Sequence, residues 1–232
     1  MRLSVAMATY NGIAFLEEQI DSVLSQLADG DELVVSDDGS TDGTRERLEA
    51  YAASDSRVKV IDGPQAGVIK NFERAIAACE GDVIALCDQD DVWAEDKREA
   101  LCTAFADERT VLVMHDALVT DGDGAVVAPS FFSLRNSRTG FWKNVWKNGY
   151  IGCCMAFRRT LCERVLPFPD SIPMHDQWIG LQAEKQGRVV LLERPLLCYR
   201  RHGGNATGDG HGSLLTMLRQ RAGLLKAMVF KR

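Results

Sequence analysis

The first hundred residues alternate short apolar runs with longer segments of helical period, and few folds accommodate that pattern. Residues 3–8 are apolar apart from Ser4 and read as a buried strand. Residues 13–27 follow, with Phe15, Leu16, Ile20, Val23, Leu24 and Leu27 at the spacing of one helix face. The alternation repeats as strand 32–36, helix 44–53, strand 58–61, helix 68–79 closed by Gly81, strand 83–87 and helix 94–105. Strands separated by helices are joined by crossovers, which predicts an α/β protein with a doubly wound, mostly parallel sheet.

The second half is less regular. A strand is expected over 111–115, a turn of a small hairpin at Asp121-Gly122-Asp123-Gly124, a strand over 153–157 and a short helix over 160–165. Pro167-Phe168-Pro169 marks a turn, followed by a helix over 177–186 and a strand over 189–192. Residues 129–150 are aromatic and basic without a clean period, and read as a long loop or broken helix. Residues 213–232 carry Arg219, Arg221, Lys226, Lys231 and Arg232 with no acidic residue, beside Leu214, Leu215, Leu218, Leu225, Met228 and Val229. Such a basic amphipathic helix can lie on an anionic membrane surface or pack on the domain, and the pattern leaves both open.

At 232 residues the chain is long enough for one α/β domain with a small appendage. A net charge of -6 argues against a nucleic-acid partner. The 7 cysteines are scattered without Cys-x-x-Cys spacing, which excludes a zinc site and suits small buried hydrophobes in a reducing compartment. No run has the length of a membrane span or the form of a secretory signal, so the expected location is the cytoplasm, with peripheral attachment to the inner face of the plasma membrane through 213–232 left open.

Ligands of doubly wound sheets bind outside the carboxyl ends of the strands. The first strand is followed there by Thr9-Tyr10-Asn11-Gly12, the second by Asp37-Asp38-Gly39-Ser40-Thr41-Asp42, and the fourth by Asp88-Gln89-Asp90-Asp91. Three carboxylates in four residues repel one another unless neutralised, and Mg²⁺ or Mn²⁺ would do so with help from substrate phosphates. Helix capping by Asp90 or Asp91 explains one carboxylate but not three. Thr41 or Asp42 reads as a cap of the second helix, whereas Asp38 could accept from a base imide or a ribose hydroxyl. Asp176, in His175-Asp176-Gln177-Trp178, is either a helix N-cap or a general base, with Trp178 either core or site. Tyr199-Arg200-Arg201-His202-Gly203-Gly204-Asn205 offers cations and close backbone approach to a diphosphate, or is a basic surface turn.

Together these motifs resemble the family 2 glycosyltransferases, which have the GT-A fold. The matching stretches are Ser4 to Gly12, Ser36 to Thr44, Gly67 with Lys70-Asn71, and Gly81 to Trp93. Gly152 to Phe157, Pro167 to Pro169, Ile172 to Trp178 and Pro195 to Asn205 are similar to a bacterial branch often described as rhamnosyltransferases. Gln177 departs from that branch, where an aromatic is common. The likeness covers roughly residues 1–208.

It implies a GT-A domain over 1–208, with a nucleotide half to about 115, a small antiparallel acceptor half over about 116–208, and a C-terminal helix over 209–232. It implies nucleotide contacts at Thr9, Tyr10, Asn11, Asp38, Lys70, Asp88 and Arg201, and metal ligation at Asp88, Asp90 and His202. Asp176 would be the catalytic base, with His175 and Trp178 on the acceptor side. The implied enzyme is a metal-dependent, inverting hexosyltransferase. It would move a sugar from a dTDP- or UDP-sugar, with dTDP-L-rhamnose first, to a saccharide or lipid-linked glycan acceptor in cell-surface polysaccharide synthesis. A sugar nucleotidyltransferase would normally need a glycine-rich, basic triphosphate loop where Thr9-Tyr10-Asn11-Gly12 stands, and a dehydrogenase would need Gly-x-Gly-x-x-Gly there. A non-catalytic nucleotide- or carbohydrate-binding module would have little use for both carboxylate groups.

Overall fold

The computed structural model describes residues 1–203 and 214–230. In chain order the elements are β1 (Leu3–Thr9), α1 (Ile13–Leu24), β2 (Glu32–Asp37), α2 (Thr44–Ser54), β3 (Val58–Asp62), α3 (Val68–Ala78) and β4 (Val83–Cys87). There follow β5 (Val92–Trp93), α4 (Lys97–Ala104), β6 (Thr110–Asp121), β7 (Val126–Ala128), α5 (Phe131–Arg135) and α6 (Phe141–Trp146). The chain continues through β8 (Met155–Arg158), α7 (Cys162–Val165), α8 (His175–Gln186), β9 (Arg188–Arg201) and α9 (Leu214–Phe230).

The strands form one sheet in the order β3-β2-β1-β4-β8-β6-β9-β5, with β7 paired to β6. β1 lies between β2 and β4, parallel to both, and all of its residues are buried. A strand covered on both faces needs apolar side chains in both directions, which is why 3–8 is apolar but for Ser4, whose buried hydroxyl donates to Glu32 at 2.6 Å. Helices α1 and α3 cover it with Leu16, Ile20 and Val23, and with Phe72, Ala75 and Ile76. Truncating Leu16 to alanine there would cost about 2–5 kcal/mol. Thr9 pairs with Asp37, and Met7 with Cys87, so the chain leaves β1, β2 and β4 at the same edge of the sheet.

Beyond β4 the sheet becomes mixed. β8 runs antiparallel to both β4 and β6, while β9 is parallel to β6 and antiparallel to β5. Here the structure corrects several expected boundaries. β6 spans 12 residues instead of five, and β9 spans 14 instead of four. Their extensions contain polar residues that interrupt an apolar run. His115 and Asp116 are buried within β6, and Asp116 is satisfied by the amides of Ala117 and Phe132. The 129–150 segment is a broken helix, α5 and α6, with Asn136 between them in a left-handed conformation. α4 starts at Lys97 after N-cap Asp96, so neither Asp90 nor Asp91 caps it. α8 starts at His175, two residues earlier than expected, with Met174 at the N-cap. Asp176 therefore sits in the first turn and is not the cap. Gly43 is likewise the N-cap of α2, while Asp42 accepts from the amides of Ile13 and Thr44.

α9 packs on the domain through Leu224, Ala227 and Met228, and Lys185 donates to the Met228 carbonyl. Among the described residues, no helix is long and apolar enough to cross a membrane. Gly204, Asn205, the expected boundary at 208–209, Ser213, Lys231 and Arg232 lie outside the described residues.

Candidate functional site

A cavity of about 620 Å³ opens at the carboxyl ends of β1, β2 and β4. Of the expected residues, Thr9, Tyr10, Asp38, Asp88, Asp90, His175 and Asp176 line it. Thus the loops after three strands meet the start of α8, although Asp90 and Asp176 are far apart in sequence.

On the nucleotide side, Thr9 is buried and its hydroxyl donates to Asp37 Oδ1 at 3.2 Å. Asp38 accepts from the backbone amides of Gln65 at 2.6 Å and Gly67 at 2.9 Å. Gly67 has φ +84°, a conformation that a side chain would strain. Tyr10 is exposed, and Gln89 clamps its backbone by accepting from its amide at 2.9 Å and donating to its carbonyl at 3.1 Å. Asn11 does not line the cavity. It braces the 37–42 loop, accepting from the Thr41 amide while its own amide donates to Ser40 Oγ.

Lys70 is also outside the lining. Its ammonium is held by Glu73, Asp170 and the Phe168 carbonyl. One position on, Asn71 does line the cavity, donating to the carbonyls of Thr9 and Ser36 and so tying the ends of β1 and β2 together. Adjacent residues on a helix point about 100° apart, so the Lys-Asn pair was a useful signal whose second member faces the site.

The acidic cluster after β4 divides in two. Asp90 Oδ2 lies 2.8 Å from His202 Nε2, whose ring rests against Phe15. Asp88, Asp91 and Cys153 form the other part, with one ligand atom of each within 4.8 Å of the others. Burial, then repulsion from Asp91, Asp90 and Asp176, pushes Asp88 well above the usual carboxylate range. Burial and Asp90 push Asp91 up to about 7, although its Oδ1 accepts from the Arg200 amide. Asp91 Oδ2 is buried without a hydrogen-bond partner. A divalent cation fits this set, since it would supply the missing partner and relieve the repulsion. Burial keeps the Cys153 thiol protonated, and hard cations take oxygen ligands, so the carboxylates suit the ion and the sulfur does not. Beneath them Lys97 is buried, with Nζ 3.0 Å from the Cys153 carbonyl and 4.1 Å from the centre of the Trp93 ring.

The opposite wall is the first turn of α8. Asp176 is 8% exposed, and desolvation pushes its carboxyl up to about 6, against the lowering effect of hydrogen bonds from the Gln177 amide and the Asn148 side chain. His175 stacks on Phe72 at 4.2 Å, and burial brings its pKa down to about 3. Neither of its ring nitrogens has a protein partner. Gly152 keeps the ring's place open, because a Cβ there would lie 3.0 Å from His175 Nε2. Trp178 is the one acceptor-side expectation that the structure places elsewhere. It is fully buried, and its indole donates to the Val165 carbonyl at 3.0 Å. Arg201 ends β9 with an exposed side chain and does not line the cavity.

Gln65, Asn71, Gln89, Asp91, Asn148 and Gly152 belong to this region without having been singled out as site residues. Gln89 and Asp91 stand inside the acidic motif and were legible from it. Gln65 and Asn148 lie in loops whose sequence carries no such mark.

Comparison with known proteins supplies the context. The model of glycosyl transferase family 2 matches residues 4–166. TuaG of Bacillus subtilis (strain 168), whose name places it in teichuronic acid biosynthesis, is 30% identical over 154 residues, covering 65% of this chain and 59% of TuaG. The chain spans 59–66% of the length of such curated relatives. Two solved structures share the fold. S. aureus TarS 1-349 in complex with UDP-GlcNAc has a TM-score of 0.78 at 20% identity, covering 100% of this chain and 67% of that one. The mannosyltransferase PcManGT from Pyrobaculum calidifontis, in complex with GDP-Man and Mn2+, has a TM-score of 0.65 at 20% identity, covering 98% and 63%. The α/β architecture is accordingly of GT-A type.

Proposed function

The chain belongs to glycosyl transferase family 2, and on that premise we propose that it moves a sugar from a nucleoside-diphosphate sugar to a saccharide acceptor with inversion at the anomeric carbon. The observation that carries the proposal is a desolvated carboxyl, Asp176, facing a cavity whose other wall is the Asp88, Asp90 and Asp91 cluster.

In this reading Thr9, Tyr10 and Asp38 hold the base and ribose. Asp88 and Asp90 hold Mg²⁺ or Mn²⁺ with His202 as an added ligand, and the orphaned oxygen of Asp91 is an addition made on the geometry. When bound, the cation neutralises charge on the departing diphosphate. Asn11 and Lys70 contribute by bracing the loop and α3. Arg201, beside His202, remains assigned to the diphosphate.

Asp176 takes the proton from an acceptor hydroxyl. A pKa near 6 leaves it ionised at neutral pH yet basic enough to accept that proton, and a positioned base contributes about 10²–10⁴-fold. The hydroxyl oxygen then displaces the nucleotide from the opposite face of the sugar. One displacement inverts the centre and needs no carboxylate nucleophile. His175, neutral and with both ring nitrogens uncommitted, can bond a hydroxyl of the acceptor or the transferred sugar.

The named donor is dTDP-L-rhamnose, with UDP-sugars second, and the acceptor is a growing surface polysaccharide or lipid-linked glycan. TuaG's name points to the same kind of product. The segment 213–232 is assigned a peripheral role on an anionic membrane.

The test is thermal stability with dTDP, UDP, GDP and CMP, each with and without Mn²⁺. A nucleotide at about 100 times its Kd adds roughly 2.7 kcal/mol, and each kcal/mol moves the midpoint of a chain this size by about 2–4 °C. A metal-dependent shift with one diphosphate, followed by turnover of its sugars, supports the reading. No shift in folded protein favours a binding module, and pyrophosphate release from a triphosphate favours a nucleotidyltransferase.

A further inference from the structure

Away from the cavity, two tryptophans stand in solvent. Trp142 is 73% exposed and Trp146 is 68% exposed, whereas Trp93 is 3% and Trp178 0% exposed. The exposed pair is four residues apart in α6 and so shares one side of it. Each ring is followed by an exposed lysine, Lys143 and Lys147. α9 adjoins them, as Arg221 lies 4.4 Å from the centre of the Trp146 ring and donates to the Trp146 carbonyl at 2.6 Å. Leu218, one turn earlier on the same side of α9, is 55% exposed, and Arg219 beside it is exposed.

We propose that α6 and the adjoining side of α9 form a docking surface for a bilayer containing anionic phospholipid. The argument is charge complementarity combined with ring chemistry. The chain carries a net charge of -6, yet residues 124–162 contain no Asp or Glu, and neither do 214–230. The acidic surplus is therefore carried by other segments; Glu184, packed at the start of α6, is half-buried and accepts from the Gly140 amide and the Tyr150 hydroxyl, and the exposed charges of α6 itself are basic. Indole rings prefer the boundary between headgroups and acyl chains, where the ring is desolvated and its N–H stays hydrated. Lysines beside them meet the phosphates. A second copy of the same patch would bring like charges together. Arg221 already covers one face of the Trp146 ring.

This surface also adjoins the catalytic wall. Two residues past Trp146, Asn148 donates to Asp176, and the Asn144 carbonyl accepts from Gln177. Docking through α6 would set the acceptor side of the cavity beside the lipid. The inference deepens the peripheral role proposed for 213–232 by placing its insertion point in α6. It does not depend on turnover, so failure of one leaves the other standing.

The test uses the full chain with vesicles of phosphatidylcholine alone and of phosphatidylcholine with about one third phosphatidylglycerol. Because the other two tryptophans are buried, the change in intrinsic emission on adding lipid reports on Trp142 and Trp146. We expect sedimentation with the anionic vesicles only, a shift of emission to shorter wavelength, and release by high salt. Trp142→Ala with Trp146→Ala should weaken partition by about tenfold or more, and Lys143→Glu with Lys147→Glu should do likewise. An unchanged far-ultraviolet circular dichroism spectrum and melting temperature certify that each variant is folded. The proposal is overturned by absent binding, by equal binding to neutral vesicles, or by unchanged binding of the tryptophan variant. It is also overturned by an emission shift that follows protein concentration without lipid, which would assign the patch to a second copy.

Discussion

The cavity has two acidic walls, and their carboxyls are raised for different reasons. After β4, Asp88 is lifted by burial and by the charges of Asp91, Asp90 and Asp176, and Asp91 by burial and the charge of Asp90. At the start of α8, Asp176 is lifted by desolvation alone, and its two hydrogen-bond donors pull the other way. Repulsion among neighbours disappears when a cation enters. Desolvation of a carboxyl does not. The first wall is thus suited to holding an ion and the second to holding a proton for part of each turnover, and a set of paired variants can test that division.

Asp176→Asn should have the largest effect, lowering kcat by about 10²–10⁴-fold while metal-dependent nucleotide binding survives. The fold should also survive, because the N-cap of α8 is Met174. Stability adds a second readout with a definite sign. A carboxyl raised from 3.8 to about 6 in the folded state gives stability that is present below the unfolded value and lost as pH rises through 6. The amide removes that penalty, so at pH 7–8 the variant should be more stable by about 1–3 kcal/mol, with or without Mn²⁺. An unchanged or lowered melting temperature would break the desolvation account.

Asp90→Ala comes next. It separates His202 from its carboxylate and should abolish the Mn²⁺-dependent part of nucleotide stabilisation. Asp91→Asn sharpens the contrast. It should also stabilise the metal-free protein above neutral pH, because Asp91 is held up at about 7, but the gain should vanish or reverse in saturating Mn²⁺. If Asp91→Asn and Asp176→Asn respond to the metal alike, the two walls do not differ as described.

The same contrast governs what could be read without coordinates. In the nucleotide half β1, β2 and β4 are short and buried along their whole length, and each motif follows its strand directly, so the parallel order and the convergence of Tyr10, Asp38 and Asp88 follow from local rules. In the second half, β6 and β9 are long strands interrupted by polar residues such as His115, Asp116 and Arg194, and the two-residue β5 exists only because β9 pairs with it. Those features depend on tertiary partners. The site divides in the same way. The acidic motif was legible, whereas Asn148 touches Asp176 only because a turn after α6 is folded against α8. Trp178 shows the converse, since its place in a candidate motif gave no sign that its indole is used up in the core.

Asn148 gives the smallest and most specific expectation. Its Nδ2 lies 3.1 Å from Asp176 Oδ1 and donates to the ionised form, while its own Oδ1 accepts from the Tyr150 amide. Activity that requires ionised Asp176 should rise with pH through about 6 and then level. Removing a donor from the carboxylate disfavours the charged form, so Asn148→Ala should move that acid limb upward by about 0.5–1 pH unit, as expected for one hydrogen bond of about 1 kcal/mol. At pH 8 the variant should turn over at close to the wild-type rate, and at pH 6 it should be slower by a few fold. A looser α6–α8 contact would instead lower kcat equally at every pH and leave the limb in place. Such a result would make Asn148 a purely structural link and leave burial as the whole reason that Asp176 titrates where it does.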